Sequence, residues 1–354
     1  MWCMVFARRG RNDFSCAKET YNTLSTKKLY YLLISLSLIV IFLGCLSGPT
    51  KIPIITILKA ILGIGSTLEH TIIWEIRLPR TLAAYLVGLS LGASGAALQG
   101  LLRNPLAEPG VLGVSACASL GATIVIYYGI TQSFTYSVPL AAVTGALIGT
   151  TFLAIIAEKA NSVTALILIG VGISSLAGSG MALLTSIAPN PFYLSDMVTW
   201  MLGSVANTSS FDIALCAPFL CVGFLLLRTQ IKGLSVLTLG EETAGTLGLN
   251  LSRNRMLVVL STGILTGTAV SLAGVIGFVG IVAPHLIRPL VEHDPGKAIV
   301  PSALLAGIIL VVADIAVRLF PTDAEIKLGV VAALIGAPIF IMIVYRRNNF
   351  YEQN

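Results

Sequence analysis

The chain has 354 residues, of which 56% are hydrophobic and 11% are charged, less than half the charged share of about 25% in an average soluble domain. A water-soluble globule of this size could not bury so much apolar surface, and the same apolar content excludes a disordered chain. The net charge of +6 comes without a basic block interleaved with aromatic residues, so nucleic acid is not an expected partner. The composition predicts an all-α integral membrane protein, surrounded by the lipid bilayer.

Apolar runs recur along the chain, and one membrane span takes roughly 20 residues. We predict a basic extension over residues 1–28, a membrane domain over 29–345 and a short tail over 346–354. An amphipathic surface helix is expected over 52–65, after the first span. The ten predicted spans are 29–48, 81–102, two between 108 and 158, 163–187, 211–227, two within 256–287, 299–317 and 328–345. The run 256–287 is too long for one helix, and its glycines predict two tilted or broken helices.

The distribution of Lys and Arg predicts the orientation of these spans. With ten spans, sixteen of these residues fall on the side of the N-terminus and six on the other side. Because basic residues accumulate on the cytoplasmic side, both termini are expected in the cytoplasm. The hydrophilic segment of about 229–254 then also faces the cytoplasm. Arg77, Arg80 and Arg318 are exceptions, since they lie at outer helix ends.

Two pairs of small residues indicate close helix packing and an internal repeat. Gly88 and Gly92 follow Arg80 in the second span, and Gly263 and Gly267 follow Arg255 at the same spacing. Small residues four apart let two helix backbones approach in lipid. The second and seventh spans enter the membrane from opposite sides, so a true repeat would have inverted topology, as in many transporters. Ordinary helix packing is the alternative interpretation.

Chemistry-bearing motifs are few. The Gly296-Lys297 pair lacks the rest of a phosphate-binding loop, so the chain is not expected to hydrolyse ATP. Asp314 is the clearest acid inside a span, and Arg318 one turn later predicts an intrahelical ion pair. The cysteines are scattered and His285 stands alone, so neither a catalytic residue nor a bound metal is expected. Energy for transport would then come from another chain; the alternative is an ion- or proton-coupled secondary transporter.

Several strings in this sequence together resemble the FecCD-type permeases, the membrane subunits of ABC importers for iron-siderophores, haem and cobalamin. The resemblance covers about residues 29–345 in the right order and spacing. The strings are Arg77-Leu78-Pro79-Arg80, Gln99, Arg103-Asn104-Pro105-Leu106-Ala107-Glu108-Pro109, Leu112-Gly113-Val114-Ser115, Leu239-Gly240-Glu241-Glu242 with Ala244 and Leu247-Gly248, Gly277-Phe278-Val279-Gly280, Pro284-His285 with Arg288, Asp314, Arg318, Glu325, Gly329 and Gly336-Ala337-Pro338.

The family implies an importer in a bacterial cytoplasmic (inner) membrane, with an iron-siderophore as the expected cargo and cobalamin or haem less favoured. It implies docking of an extracytoplasmic substrate-binding protein on Arg77, Arg80 and Arg318, with interfacial arginines of no such role as the alternative. It implies two cytoplasmic ATPase subunits that bind ATP, and a second permease, identical or homologous. The residues expected to contact the ATPase are Gly240, Glu241, Glu242, Ala244, Leu247 and Gly248.

Six further residues are candidates for the transport pathway or its gate: Gln99, Arg103, Asn104, Pro105, Pro284 and His285. For 103–105 a structural role is the alternative, because a proline stops a helix and an asparagine caps the next turn. The chain departs from the family at one point. It has Lys327 between Glu325 and Gly329, where the family usually has a proline, and we expect this lysine to alter the local turn or the docking contacts near Arg318.

Overall fold

The computed structural model describes residues 26–48, 50, 53, 55–57, 66–134, 136–159, 163–320 and 326–352, and all regular elements in these ranges are helical. Short 3₁₀ turns connect several of the helices. Numbered in chain order, the helices are α1 (Thr26–Leu46), α2 (Thr67–Leu101), α3 (Val114–Tyr127), α4 (Ser137–Lys159), α5 (Val163–Ser186), α6 (Pro191–Met201), α7 (Ser210–Val236), α8 (Glu241–Thr246), α9 (Leu251–Ala273), α10 (Val279–Ile287), α11 (Pro295–Leu319) and α12 (Leu328–Glu352).

Seven helices among the described residues are long and apolar enough to cross a membrane, namely α1, α2, α4, α5, α7, α9 and α11. Three shorter apolar helices, α3, α10 and α12, occupy the positions of the remaining predicted spans. The membrane class and the helical fold are confirmed; the total of ten crossings and the orientation of the termini stay predictions. Most of the extension over 1–28, most of the surface helix over 52–65, and Glu325 lie outside the described residues.

Several helices extend beyond their predicted spans, and the three largest extensions have the same reason. α2 begins at Thr67 rather than 81, α7 continues to Val236 rather than 227, and α12 continues to Glu352. Hydropathy locates the part of a helix that lies in lipid, whereas charged residues end the apolar run without ending the helix. α2 instead begins at a capping box formed by Ser66 and Glu69, and contains a π-helical turn over Thr71–Arg77.

The run 256–287 does form two helices, as its glycines predict. α9 ends at Ala273 and α10 begins at Val279. Gly274, just after α9, has φ +67°, and Phe278, just before α10, has φ +66°. Glycine adopts this left-handed conformation without steric cost, which allows the chain to turn sharply there.

Helices α2 and α9 form the centre of the bundle. In the most apolar stretch of each helix, 78% of α2 and 83% of α9 is buried, against 17% of α5. The glycines singled out in the sequence explain the close packing. A methyl group at Gly92 would collide with the backbone of α11 at Ser302, and one at Gly263 would collide with Thr150 of α4. The inverted repeat stays a prediction; the glycine faces themselves contact two different helices.

The two ends of the bundle carry different polar groups. The arginine end contains Arg77, Arg80 and Arg318, where α1 finishes, α2 begins and α11 finishes. The Glu241 end lies on the opposite side, where α2 finishes and α8 and the start of α9 are found.

Candidate functional site

At the arginine end, one buried carboxylate joins two helices. Asp314 of α11 is 0% exposed. Its Oδ1 accepts hydrogen bonds from Arg80 Nε at 2.9 Å and Arg80 Nη2 at 2.8 Å. Its Oδ2 pairs with Arg318 one turn later in the same helix. The pair expected from the i, i+4 spacing therefore shares its carboxylate with a second arginine from α2.

The remaining donors of the cluster bind the end of α1. Arg77 donates to the carbonyl oxygens of Cys45 at 3.2 Å and Leu46 at 2.8 Å. It also donates to the carbonyl and hydroxyl oxygens of Thr50, at 2.6 and 3.0 Å. The last carbonyls of a helix have no partner within the helix, and cations are favourable at that end. Arg77 thus caps α1 from a different helix.

Arg318 completes this cap from the other side. Its Nη1 donates to the carbonyl oxygens of Gly44 at 2.9 Å and Ser47 at 3.4 Å, and its Nη2 to Thr81 Oγ1 at 3.1 Å. We call Arg77, Arg80, Asp314 and Arg318 the arginine clasp. It joins α1, α2 and α11 through side chains that are distant in sequence.

The clasp leaves little guanidinium surface for a partner. Arg77 is 4% exposed, and the side chain of Arg318 is 3% exposed. Arg80 is the most accessible of the three, with 14% of its side chain exposed. Docking of a binding protein on these residues stays a prediction, and in this conformation a partner carboxylate would have to displace backbone carbonyls to reach Arg77.

Two glycines near the end of α1 are the sequence feature that could have indicated the clasp. Gly48, which follows α1, lies under Arg77, so that a methyl group there would come within 2.9 Å of Arg77 Nε. A methyl group at Gly44 would meet the side chain of Thr81. Two glycines at the end of an apolar run are the local trace of a nearby bulky group, but they do not identify that group.

At the Glu241 end, the predicted ATPase-contacting residues form a short exposed helix. Helix α8 spans six residues, Glu241–Thr246, between Gly240 with φ +106° and Gly248 with φ +88°. Ala244 is fully buried and anchors the segment, whereas Leu247 is 63% exposed. We call residues 240–248 the α8 segment. Its single buried residue and its two positive-φ glycines leave it dependent on contacts with neighbouring helices.

Sequence reasoning missed the residue that holds the α8 segment. Arg255, in the first turns of α9, donates from Nη2 to Glu241 Oε2 at 2.7 Å. The Arg255 side chain is 9% exposed and that of Glu241 is 38% exposed. Beside it, Asn254 Nδ2 donates to Gln230 Oε1 of α7 at 2.8 Å. These contacts bring α7, α8 and α9 together.

The structure separates the six pathway candidates into three groups. Gln99 is buried, donates to the Gly280 carbonyl at 3.5 Å, and has no partner for its Oε1. Arg103 is exposed with φ +47°, and Asn104 Oδ1 accepts the Leu106 N–H at 2.9 Å, which is the capping role that the sequence left open. Pro105, the next residue, is half-buried.

The other two candidates lie within α10. Pro284 is buried and His285 is half-buried. Helix α10 contacts the 103–113 connection near its start, where Gly280 faces Pro109. A pathway role for the six candidates stays a prediction.

The connection after α2 folds back alongside the bundle. Pro109 and Gly280 lie in contact, and Gly280 also packs against Leu91 and Gly95 of α2. Gly95 and Leu91 precede the end of α2 by six and ten residues, about 9 and 15 Å at 1.5 Å per residue. Glu108, named in the sequence only as part of a family string, accepts a hydrogen bond from the Phe278 N–H just before α10. Two non-helical segments therefore meet inside the bundle.

A cavity of about 570 Å³ with a mixed polar and apolar lining opens at the arginine end. It lies between the ends of α3 and α9 and the starts of α4 and α7. Its charged lining residues are Asp196, Asp212 and Lys327, with Trp200 as an aromatic wall. The lysine that departs from the family pattern thus lies at this cavity. Among the described residues no group of three or more His, Cys, Asp or Glu side chains is arranged to hold a metal ion.

Comparison with known proteins identifies what the chain resembles. The model of the FecCD transport family matches residues 36–346. An uncharacterized ABC transporter permease, YvrB of Bacillus subtilis, is 35% identical over 321 residues, covering 87% of this chain and 90% of that protein. The vitamin B12 import system permease BtuC of Vibrio cholerae is 39% identical over 293 residues, covering 80% of this chain and 86% of BtuC.

A solved structure agrees with these sequence matches. It is an ABC transporter described as of metal-chelate type, in an inward-facing conformation. The TM-score is 0.81 with 28% identical residues, and the match covers 91% of this chain and all of the other. The fold described above is therefore shared over nearly its whole length with a transporter of this class.

Proposed function

The chain belongs to the FecCD transport family and is a permease of the ABC importer type, and from this premise we propose its cargo and its partners. The cargo is a metal chelate, with cobalamin first. The observation that carries this choice is the 39% identity with a vitamin B12 import permease over 80% of the chain. An iron-siderophore, which the sequence favoured, becomes the second candidate.

Two copies of the chain, or this chain and a homologue, would enclose the pathway, and a binding protein would deliver the cargo at the arginine end. Helix α5, only 17% buried in the single chain, has apolar surface that a second permease or lipid would cover. The cavity beside Lys327, with its charged lining residues, supports a polar outer surface at that end. The arginine end would then face outward, in an inner membrane whose cytoplasmic side holds both termini.

Two ATPase subunits would bind at the Glu241 end and supply the energy. The acidic first turn of α8 and the exposed Leu247 at its end support this assignment, because both are accessible to a partner subunit. The chain would contribute no catalytic residue and no cofactor ligand, and ATP would bind to the partner subunits.

Reconstituted vesicles test the proposal directly. The chain is co-expressed with its ATPase and binding protein, and uptake of labelled cobalamin, ferric siderophore and haem is measured with ATP and with a non-hydrolysable analogue. We expect ATP-dependent cobalamin uptake that needs the binding protein. Uptake of the ferric siderophore without uptake of cobalamin would show that the second candidate is the cargo. Uptake driven by an ion gradient without ATP would replace the ABC mechanism by secondary transport.

A further inference from the structure

We propose that Arg255 is the positioning residue that makes the α8 segment move together with α9. The inference rests on the proposed function, in which the α8 segment contacts the ATPase. Its structural basis is the ion pair of 2.7 Å between Arg255 Nη2 and Glu241 Oε2. Glu241, which the family resemblance assigned to the ATPase contact, therefore faces its own chain with one carboxylate oxygen.

The α8 segment needs such an anchor. Six residues cannot form a stable helix alone, because the first turn fixes several residues for one hydrogen bond. Gly240 and Gly248 have φ of +106° and +88°, so the backbone on both sides can change direction easily. Within the chain the segment is held by the buried Ala244, whose carbonyl accepts the Leu249 N–H at 3.0 Å, and by the ion pair. Ala244 belongs to the same buried cluster as Val258 and Val259 of α9, and the ion pair adds a charged link to that helix.

Arg255 lies where an arginine is otherwise unfavourable. Its side chain is 9% exposed, so it has lost most of its contact with water. A carboxylate nearby offsets this cost, and removing Glu241 would leave a poorly solvated charge on Arg255. The pair is therefore a firm link rather than an incidental surface contact.

Helix α9 can carry a displacement from this link across the bundle. Its 23 residues extend for about 35 Å at 1.5 Å per residue. Gly263 and Gly267 hold it in close contact with α4, so it moves as a rod rather than by bending. Its far end, Ser271 to Gly274, lines the cavity at the arginine end and leads into the break before α10. A movement of the α8 segment would thus reach the opposite end of the molecule.

The test compares coupling in the assembled complex. Arg255→Ala is expected to keep ATP hydrolysis but to lower the cargo imported per ATP by at least about fivefold, the lower bound of typical coupling between distant sites. Arg255→Lys, which keeps the charge, should retain most of the coupling. The exchange Arg255→Glu with Glu241→Arg should restore it above either single variant, an outcome that a merely structural role would not require.

The matched control is a second ion pair at the same end. Glu292 and Lys297 pair at 3.4 Å with side chains 73% and 50% exposed, so Lys297→Ala should leave the ratio unchanged. If Arg255→Ala imports as much cargo per ATP as a native complex that transports, this inference is overturned and the proposed function is not. Absence of ATP-dependent uptake in the native complex would overturn the proposed function together with it. Failure of the charge exchange to recover any coupling in a folded complex that still binds the ATPase would also contradict the link.

Discussion

Both ends of this molecule use an arginine and a carboxylate, but they bury them to different degrees. At the arginine end, Asp314 is 0% exposed and is shared by two arginines, while the other donors bind the carbonyls that end α1. At the Glu241 end, a single arginine meets a carboxylate that is 38% exposed and belongs to a six-residue helix between glycines. The first arrangement is held by several buried contacts, whereas in the second the carboxylate belongs to a short segment that can move.

This difference indicates that the two ends of the molecule have different mechanical roles. The arginine clasp joins α1, α2 and α11 into a fixed frame, because Asp314 pairs with Arg80 and Arg318 while Arg77 donates to backbone carbonyls at and after the end of α1. The Arg255–Glu241 pair instead joins a rigid rod to a segment that can turn about Gly240 and Gly248. Charge at the first end maintains structure, and charge at the second end is placed to transmit movement.

The largest expected effect comes from removing the shared carboxylate. Asp314→Ala leaves Arg80 and Arg318 facing each other in a poorly hydrated site, so the free energy of unfolding should fall by about 3–5 kcal/mol. The midpoint of thermal unfolding of the purified chain in detergent measures this loss.

Glu292→Ala is the matched acidic variant, since Glu292 is 73% exposed in a 3.4 Å pair. Exposed pairs contribute about 0–1 kcal/mol, so its midpoint should hardly change. Equal midpoints for the two variants would show that the clasp is not a fixed frame.

A smaller effect is expected at Arg77, and it separates capping from docking. Arg77→Ala removes hydrogen bonds to carbonyls at the end of α1, at about 1.5–3 kcal/mol in stability for a charged donor. Arg77→Lys keeps the positive charge but not the planar fork that reaches several acceptors. Capping therefore predicts that Lys at position 77 also destabilises the chain, which thermal unfolding would detect.

Docking by charge makes the opposite prediction for the lysine variant. If a partner carboxylate binds at this position, Arg77→Lys should retain association with the binding protein, measured on immobilised complex, while Arg77→Ala loses it. A lysine variant that matches the native chain in stability would contradict the cap. The same variant with lost association but native stability would argue for a docking contact that needs the guanidinium shape.

Properties set by neighbouring residues along the chain were predictable from sequence. The apolar runs located the helices, and the glycines in 256–287 predicted the break between α9 and α10. Helix starts such as Thr67 were misplaced, because Glu69, Glu75 and Arg77 lower the hydropathy without interrupting the helix. The α8 segment was located through family motifs, while its conformation follows from its glycines.

The contacts that define the two ends were not predictable, because their partners are distant in sequence. Arg80 and Asp314 are separated by 234 residues, and Arg318 and Gly44 by 274. Only the Asp314–Arg318 pair has the short spacing that a sequence pattern can reveal. Arg255 and Glu241 are 14 residues apart, too far for one helix face and without a repeat to relate them.

The smallest predicted effects come from two glycines of the α8 segment and have opposite signs. Gly248 has φ +88°, and no atom lies within 4 Å of where an added methyl group would be. Gly248→Ala therefore has space but an unfavourable backbone, at about 1 kcal/mol. Gly245 lies inside α8, also in open space, and Gly245→Ala should favour the helix by about 0.5–1 kcal/mol.

Binding of the ATPase is the measurement that separates these two glycine variants. Thermal unfolding of the whole chain should change little in either one, since the segment is exposed. The affinity for the ATPase should weaken about fivefold for Gly248→Ala, the equivalent of 1 kcal/mol, and should not weaken for Gly245→Ala. A weakening by both variants would mean that the ATPase contacts these glycines directly, and the flexible joint at Gly248 would lose its support.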